Sequence, residues 1–420
     1  MWSLFALCFV APVVVWITYW VYRWRNPICN GRLPPGSMGL PVLGETLQFF
    51  KPQSSLDIHP FIKDRMKTYG PLFKTSLLGR PVIFSTNPEF SHYIFQQDGI
   101  SVEIWYLDSF MKLRVRLIDW GKLWEIHSPG NSKSGCLICQ DSPDFPQKSM
   151  SFGLASKKLL SYDPSKYPVN LKDAFSSFIK ALFCFPLNIP GTVFHKLLKD
   201  QRVGLRIIRD IVQKRLDSGK YHGDFVDVII EEMKKSEPLF NVESASYFLF
   251  TILFGSFETV SLALTLAINF LTDHPLVLEE LVVINETLRL SNVVPLTSKR
   301  AIRDIHKDGY TIPAGWTIMV CPPAIHLNPE KYEDSLAFNP WRWPGQGSNT
   351  ASKNYMAFGG GMRLCAGAEF AKLQISVVLH FLVTRYRWTK IKGGEILKTP
   401  GISFPNGLHI KLTEKQTKSC

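Results

Sequence analysis

The sequence predicts a mainly α-helical chain carried behind one N-terminal membrane-spanning helix. Residues 1–22 hold no charge and are almost all apolar. A second apolar stretch, Tyr247 to Leu271, carries a single charge, Glu258. Behind a glycine-rich loop, Phe370, Leu373, Val377 and Phe381 recur at helical spacing. The 420 residues are 45% apolar, 20% charged and 13% aromatic, a globular composition that excludes a disordered chain.

The first stretch matches the ~20 residues that cross a bilayer. Arg23, Arg25 and Arg32 come after it and no basic residue precedes it, so the remainder is expected in the cytosol. No basic leader or small-residue cleavage site is evident, which favours an uncleaved signal-anchor over a removed peptide. The eight scattered cysteines exclude a disulfide scaffold and fit a reducing compartment. The net charge of +13 is spread through pairs such as Lys157-Lys158 and Lys234-Lys235, without a nucleic-acid motif. It reads as a solvated basic surface, or as a face for an acidic partner or anionic lipid. Residues 23–44, with Pro34-Pro35-Gly36 and Gly39 to Gly44, read as a stiff hinge between anchor and domain.

Tyr247 to Leu271 is long enough to span a membrane, but a mid-span carboxylate is costly. The polar stop Thr272-Asp273-His274-Pro275 holds no basic cluster, so a helix buried in a large core is the expectation. Within it, Gly255 and Ser256 are small enough to admit a flat ligand. Glu258 and Thr259 place an acid beside a hydroxyl, a pair able to move protons. Taken alone, Thr259 is more often a hydroxyl bonded to its own backbone.

The sharpest signal is Phe358-Gly359-Gly360-Gly361-Met362-Arg363-Leu364-Cys365-Ala366-Gly367. It brings a cysteine to a helix start, where thiolates are stabilised. Arg363 can pair with a carboxylate. Glu286 and Arg289 stand at i and i+3 and share a helix face. Taken singly, the loop reads as a buried cysteine by a turn and the pair as a surface ion pair.

Together these pieces resemble the cytochrome P450 family, most closely the plant group that oxidises sterols, brassinosteroids and triterpenoids. The resemblance covers roughly residues 1–100, 149–281 and 284–412. It implies a mainly α fold with small β-sheets: a triangular helical domain and a smaller β-rich part over residues 45–415, then a short tail, 416–420. It also implies heme b, with Cys365 as the axial thiolate and metal ligand, and Phe358, Gly359, Gly361, Arg363 and Gly367 shaping its loop. Lys299 and Arg300 fall where the family contacts a heme propionate. Arg342, in Phe338-Asn339-Pro340-Trp341-Arg342-Trp343, completes the network of Glu286 and Arg289. Glu258 and Thr259 take the acid and alcohol roles in oxygen activation. Val293-Val294-Pro295 and Ile402-Ser403-Phe404-Pro405 fall where substrate loops are expected, and Arg303 to Trp316 where a strand-turn-strand is. The implied activity is monooxygenation of a hydrophobic small molecule, with electrons from an NADPH-dependent cytochrome P450 reductase, at the endoplasmic reticulum membrane.

The chain departs from the family twice. Residues 100–148 lack the expected Trp-x-x-x-Arg, and Leu281 runs almost directly into Ile284-Asn285-Glu286 where tens of residues are usual. Cys136 and Cys139 form a C-x-x-C, a weak zinc signal without a second pair. Loss of a packed segment is expected to expose apolar surface. The alternatives are a non-catalytic variant that binds heme poorly, an oxygen-independent heme-thiolate isomerase or dehydratase, and a two-span membrane protein. Glu258 and Thr259 speak against the isomerase, and the thiolate loop against the last.

Overall fold

In chain order the elements begin α1 (Trp2–Arg25), α2 (Thr46–Phe49), α3 (Pro60–Tyr69), β1 (Leu72–Leu77), β2 (Arg80–Ser85), α4 (Pro88–Gln96) and β3 (Val102–Ile104). Then come α5 (Gln147–Leu160), α6 (Val193–Ser218), α7 (Phe225–Met233), α8 (Val242–Asp273) and α9 (Glu280–Ser291). The remainder is β4 (Thr297–Ala301), β5 (Ile305–Lys307), β6 (Tyr310–Ile312), β7 (Thr317–Val320), α10 (Pro322–His326), α11 (Ala368–Arg385), β8 (Tyr386–Gly393), β9 (Leu397–Thr399), β10 (Gly401–Ser403) and β11 (Leu408–Glu414). The structure, a computed structural model, describes residues 2–105, 147–175, 188–274, 280–343, 353–399 and 401–415. The expected C-x-x-C of Cys136 and Cys139, and the tail 416–420, lie outside them. So does most of the atypical stretch 100–148.

Contacts divide the chain into two units. One comprises Met1–Trp105, Asn285–Cys365 and Lys392–Leu408; the other comprises Tyr106–Ile284, Ala366–Ile391 and His409–Cys420.

The first unit is built on a five-stranded sheet of order β1-β2-β7-β4-β3. β1 and β2 join through Leu78 and Gly79, both at positive φ (51° and 73°), the geometry of a two-residue hairpin turn. Asp308 and Gly309 (φ 53° and 76°) do the same between β5 and β6, which form the strand-turn-strand expected there. Ile83, Phe90, Ile94, Val102, Ile318 and Val320 are buried in its core. Part of the predicted hinge lies against β1 instead of standing clear as a linker. Pro35 O accepts from Lys74 N (2.8 Å), and Glu45 N donates to Ser76 O (2.8 Å). A Cβ at Gly44 would fall 2.1 Å from Ser76 O, so that close approach requires glycine.

The second unit is helical. Its longest member, α8, starts at a capping box of Asn241 and Ser244, and its C-cap is His274, just before Pro275. It passes a length and composition test for a membrane span. Its Phe250, Leu253, Leu264, Leu266 and Ala267 are nonetheless buried, and it packs against α5, α6 and α11. Phe175 stacks on Phe250 at 4.4 Å, and Phe152 meets Phe257 edge-on at 5.2 Å. Each such ring, fully buried, contributes roughly 1.5–3 kcal/mol. At Gly204 a Cβ would come within 2.7 Å of Phe250, so the glycine sets how closely α6 approaches α8.

The periodicity around Phe370 marks α11 correctly as a helix. Phe370, Leu373 and Val377 are exposed, whereas Ile375, Leu379 and Leu382 are buried.

The last turn of α6 is tied to α7 by Arg215, which donates to Asp224 (2.9 and 2.8 Å) and Asp227 (2.5 Å) with its side chain 5% exposed. Burial alone would raise the Asp227 carboxyl. The N–H groups of His222 and Gly223, with Arg215, hold it below the usual carboxylate range. Arg215→Met strands both carboxylates and is expected to destabilise the helical unit by about 3–5 kcal/mol. Urea unfolding of the full chain in detergent, tracked by circular dichroism, checks this.

Candidate functional site: the thiolate loop and its braces

The thiolate loop is made by glycines that no other residue can replace without movement. Gly359 and Gly361 sit at φ 79° and 65°. A Cβ at Gly361 would fall 2.1 Å from Phe95 O, and one at Gly360 would fall 3.0 Å from the Phe95 ring. The loop therefore rests directly on the end of α4. A 3₁₀ turn, Gly361–Arg363, comes next. Cys365 N donates to Phe358 O (3.0 Å), closing the loop, and Gly367 caps α11. Cys365 is exposed and forms no disulfide.

The brace behind the loop starts at Glu286 and Arg289, both fully buried on α9. Arg289 Nε and Nη2 donate to the two Glu286 oxygens (2.9 and 2.7 Å). Glu286 also accepts from Arg342 Nε (3.1 Å), Asn339 N (3.1 Å) and Trp343 Nε1 (3.0 Å). Arg289 Nη1 reaches His326 O (2.8 Å) and Ser335 O (2.7 Å). The expected triad of Glu286, Arg289 and Arg342 is thus in contact.

Sequence reasoning missed the next link. His326 Nδ1 lies 2.6 Å from Asn292 Oδ1, and Met356 N donates to His326 Nε2 at 2.8 Å. Those partners assign the proton to Nδ1 and the acceptor role to Nε2. Met356 stands two residues before Phe358, so the histidine couples the α9 network to the thiolate loop. The motif Ala324-Ile325-His326 gives no local sign of this role.

The residues expected at a propionate each face a protein carboxylate. Lys299 Nζ lies 3.1 Å from Asp98 Oδ1, at an angle poor for a hydrogen bond, and Arg363 Nε donates to Asp98 Oδ2 at 2.7 Å. Arg300 pairs with Glu103 (2.7 Å) at the surface. Burial pulls the Lys299 ammonium below its usual range, against the pull of Asp98.

In the helical unit, Thr259 Oγ1 donates to Gly255 O (2.6 Å) and Ser261 Oγ to Glu258 O (3.0 Å). Thr259 and Gly255 are exposed, and Glu258 is half-buried. A Cβ built on Gly255 meets nothing within 4 Å, so the helix leaves open room there. Of the expected substrate loops, Val294 is 49% exposed while Ile402, on β10, is buried.

The donor set fits a heme held by one thiolate. The thiol is exposed on a glycine turn. Among the described residues no cluster of His, Cys, Asp or Glu could hold a metal by itself. Lys299 and Arg363, expected to hold a carboxylate of the heme, already face Asp98.

Two measurements test the brace. Glu286→Gln leaves Arg289 buried without its counter-ion and is expected to cost about 3–5 kcal/mol, or to prevent folding, as read by thermal unfolding. His326 is the pH-sensitive link. Burial, then the Arg289 charge, lowers its pKa from 6.5 to about 3. The unfolded chain binds a proton that the folded chain refuses, so stability falls as pH drops from 6.5 towards 3, by up to ~1.4 kcal/mol per pH unit. The fall in Tm between pH 7 and pH 5 should therefore be smaller in His326→Gln than in the native chain. Equal falls would contradict neutral burial.

Comparison with known proteins agrees with this geometry. The family model described as Cytochrome P450 matches residues 165–282 and 281–408, two pieces that meet where the sequence shows its gap. The chain is 42% identical over 456 residues to Cytochrome P450 87A3 of Oryza sativa subsp. japonica, covering 94% of this chain and 89% of that protein. It is 37% identical over 462 residues to Cucurbitadienol 11-hydroxylase of Siraitia grosvenorii, covering 96% and 98%. Both alignments are longer than the 420 residues of this chain, so the relatives hold residues that it lacks. A solved structure, retinoic acid bound cyanobacterial CYP120A1, shares the fold with a TM-score of 0.74 at 23% identity, covering 92% of this chain and 100% of that one. The chain belongs to the cytochrome P450 family and is a monooxygenase of that family by its relatives' activities.

Proposed function

We propose that this chain hydroxylates a hydrophobic triterpenoid or sterol-like substrate at the endoplasmic reticulum membrane. The carrying observation is the exposed Cys365 on a glycine turn that the Glu286, Arg289 and His326 network braces from behind. The substrate class rests on the likeness to the cucurbitadienol hydroxylase. One oxygen atom of O2 enters a C–H bond of the substrate. The other leaves as water, with two protons and with two electrons from NADPH delivered by a flavoprotein reductase.

A bound heme b supplies oxygen binding and O–O cleavage, favoured by an electron-rich thiolate. The protein's own residues do the rest. Cys365 presents its sulfur as the iron ligand. Phe358, Gly359, Gly361 and Gly367 fix the loop that carries it. Thr259 Oγ1 holds a proton for the reacting oxygen, and the Glu258 carboxyl replaces it from solvent. Residues 1–22 anchor the chain, and Arg23 and Arg25 keep the catalytic domain on the cytosolic side. A second reading, a variant of the family that takes up heme poorly, is favoured by Asp98 facing Lys299 and Arg363 and by the family match that breaks at residues 281–282.

The CO-difference spectrum of the reduced, purified chain separates the two. A thiolate-type Soret band that disappears in Cys365→Ala is expected; no band in the native chain would leave the second reading. Thr259→Ala is expected to keep the band while oxygen consumption runs ahead of product by about tenfold. Unchanged coupling would remove Thr259 from the relay.

A further inference from the structure

We propose that Asp98 is a built-in counter-ion standing where a heme carboxylate was expected, and that it is the positioning residue of the thiolate loop. The inference rests on the heme reading above.

Asp98 is 3% exposed and both its oxygens face cations, Lys299 at 3.1 Å and Arg363 at 2.7 Å. Lys299 is held in place. Lys299 is 2% exposed and sits on β4, which is paired on one side with β7 and on the other with β3. Arg363 lies two residues before Cys365. Asp98 is itself fixed by the turn at the end of α4. There Gly99 N donates to Val102 O (2.8 Å), and Ser101 N and Val102 N donate to Gln97 O (2.9 and 3.1 Å). The same segment supports the loop from below, because Phe95 lies against Gly360 and Gly361. Residues 95–98 therefore hold the loop twice: by backbone contact at the glycines and by an ion pair at Arg363.

The charge balance gives this a consequence for the cofactor. A buried Lys299 and a half-buried Arg363 side by side require an anion. If none were built in, a propionate would supply it, and its charge would add to heme affinity. Asp98 offsets one of these two positive charges, so the corner pulls on a propionate less than two unpaired cations would. Heme binding by this chain then draws correspondingly more on Cys365 and apolar contact.

The test is a Soret titration of the full-length chain, purified without heme in detergent, with hemin and with hemin dimethyl ester, whose propionates carry no charge. The native chain is expected to bind both within about threefold. Asp98→Asn removes the built-in negative charge beside Lys299 and Arg363, so it should prefer hemin over the ester by at least about tenfold. A purely structural Asp98 would weaken both forms equally and leave the ratio unchanged, which overturns the proposal. So does a native chain that already prefers hemin by more than about tenfold. Should Asp98→Asn not fold, Lys299→Met in the native background decides: an unchanged ratio supports the proposal, and a fall in the preference for hemin shows that Lys299 does hold a propionate. A preference for hemin in the native chain with a Cys365-dependent band leaves the heme reading standing while this one falls. No such band with either form sinks both.

Discussion

A carboxylate buried without water must be surrounded by donors, and the Glu286 side chain organises its unit for that reason. Arg289 from its own helix, Arg342 and Trp343 from a distant segment, and the backbone of Asn339 all converge on it. Arg289 also donates to the carbonyls of His326, Ser335 and Ala337. Ser335 and Asn339 belong to stretches with little regular structure of their own. These stretches hold one conformation because leaving the Glu286 charge unpaired would cost several kcal/mol. The loop that carries Cys365 inherits this order through His326 and Met356. Its ligand geometry is set by the electrostatics of a neighbouring helix as much as by its own glycines.

Legibility in the sequence depends on distance along the chain. Glu286 and Arg289 are one helical turn apart, so their pairing is a local fact. The glycines around Cys365 announce a turn because positive φ is a property of the residue itself. The β5–β6 hairpin is visible for the same reason. His326 with Asn292, and Asp98 with Lys299 and Arg363, are pairings across long loops; no local pattern distinguishes them from ordinary polar residues. The α11 periodicity gave the helix but not the side that is buried, because apolar residues recur on more than one face. The hinge shows the opposite limit. Proline and glycine predicted an irregular segment, yet that segment is held on β1 by backbone bonds that composition does not encode.

The departures from the family have physical counterparts. The alignments exceed the length of this chain, the family match breaks at residues 281–282, and α11 presents Phe370, Leu373 and Val377 to solvent. A stripe of that kind is a liability for aggregation. The unit that carries Cys365 keeps its sheet, its core and its buried charges in spite of these changes.

The helix Glu280–Ser291 runs through the point where the chain is shortened. Each residue removed ahead of a helix rotates only what lies upstream, because every later residue takes its angle from the hydrogen bonds behind it. Glu286 and Arg289 keep their mutual orientation whatever length of chain precedes them. The shortened chain retains a complete charge network for that reason, and a cut a few residues later, between Glu286 and Arg289, would have removed it.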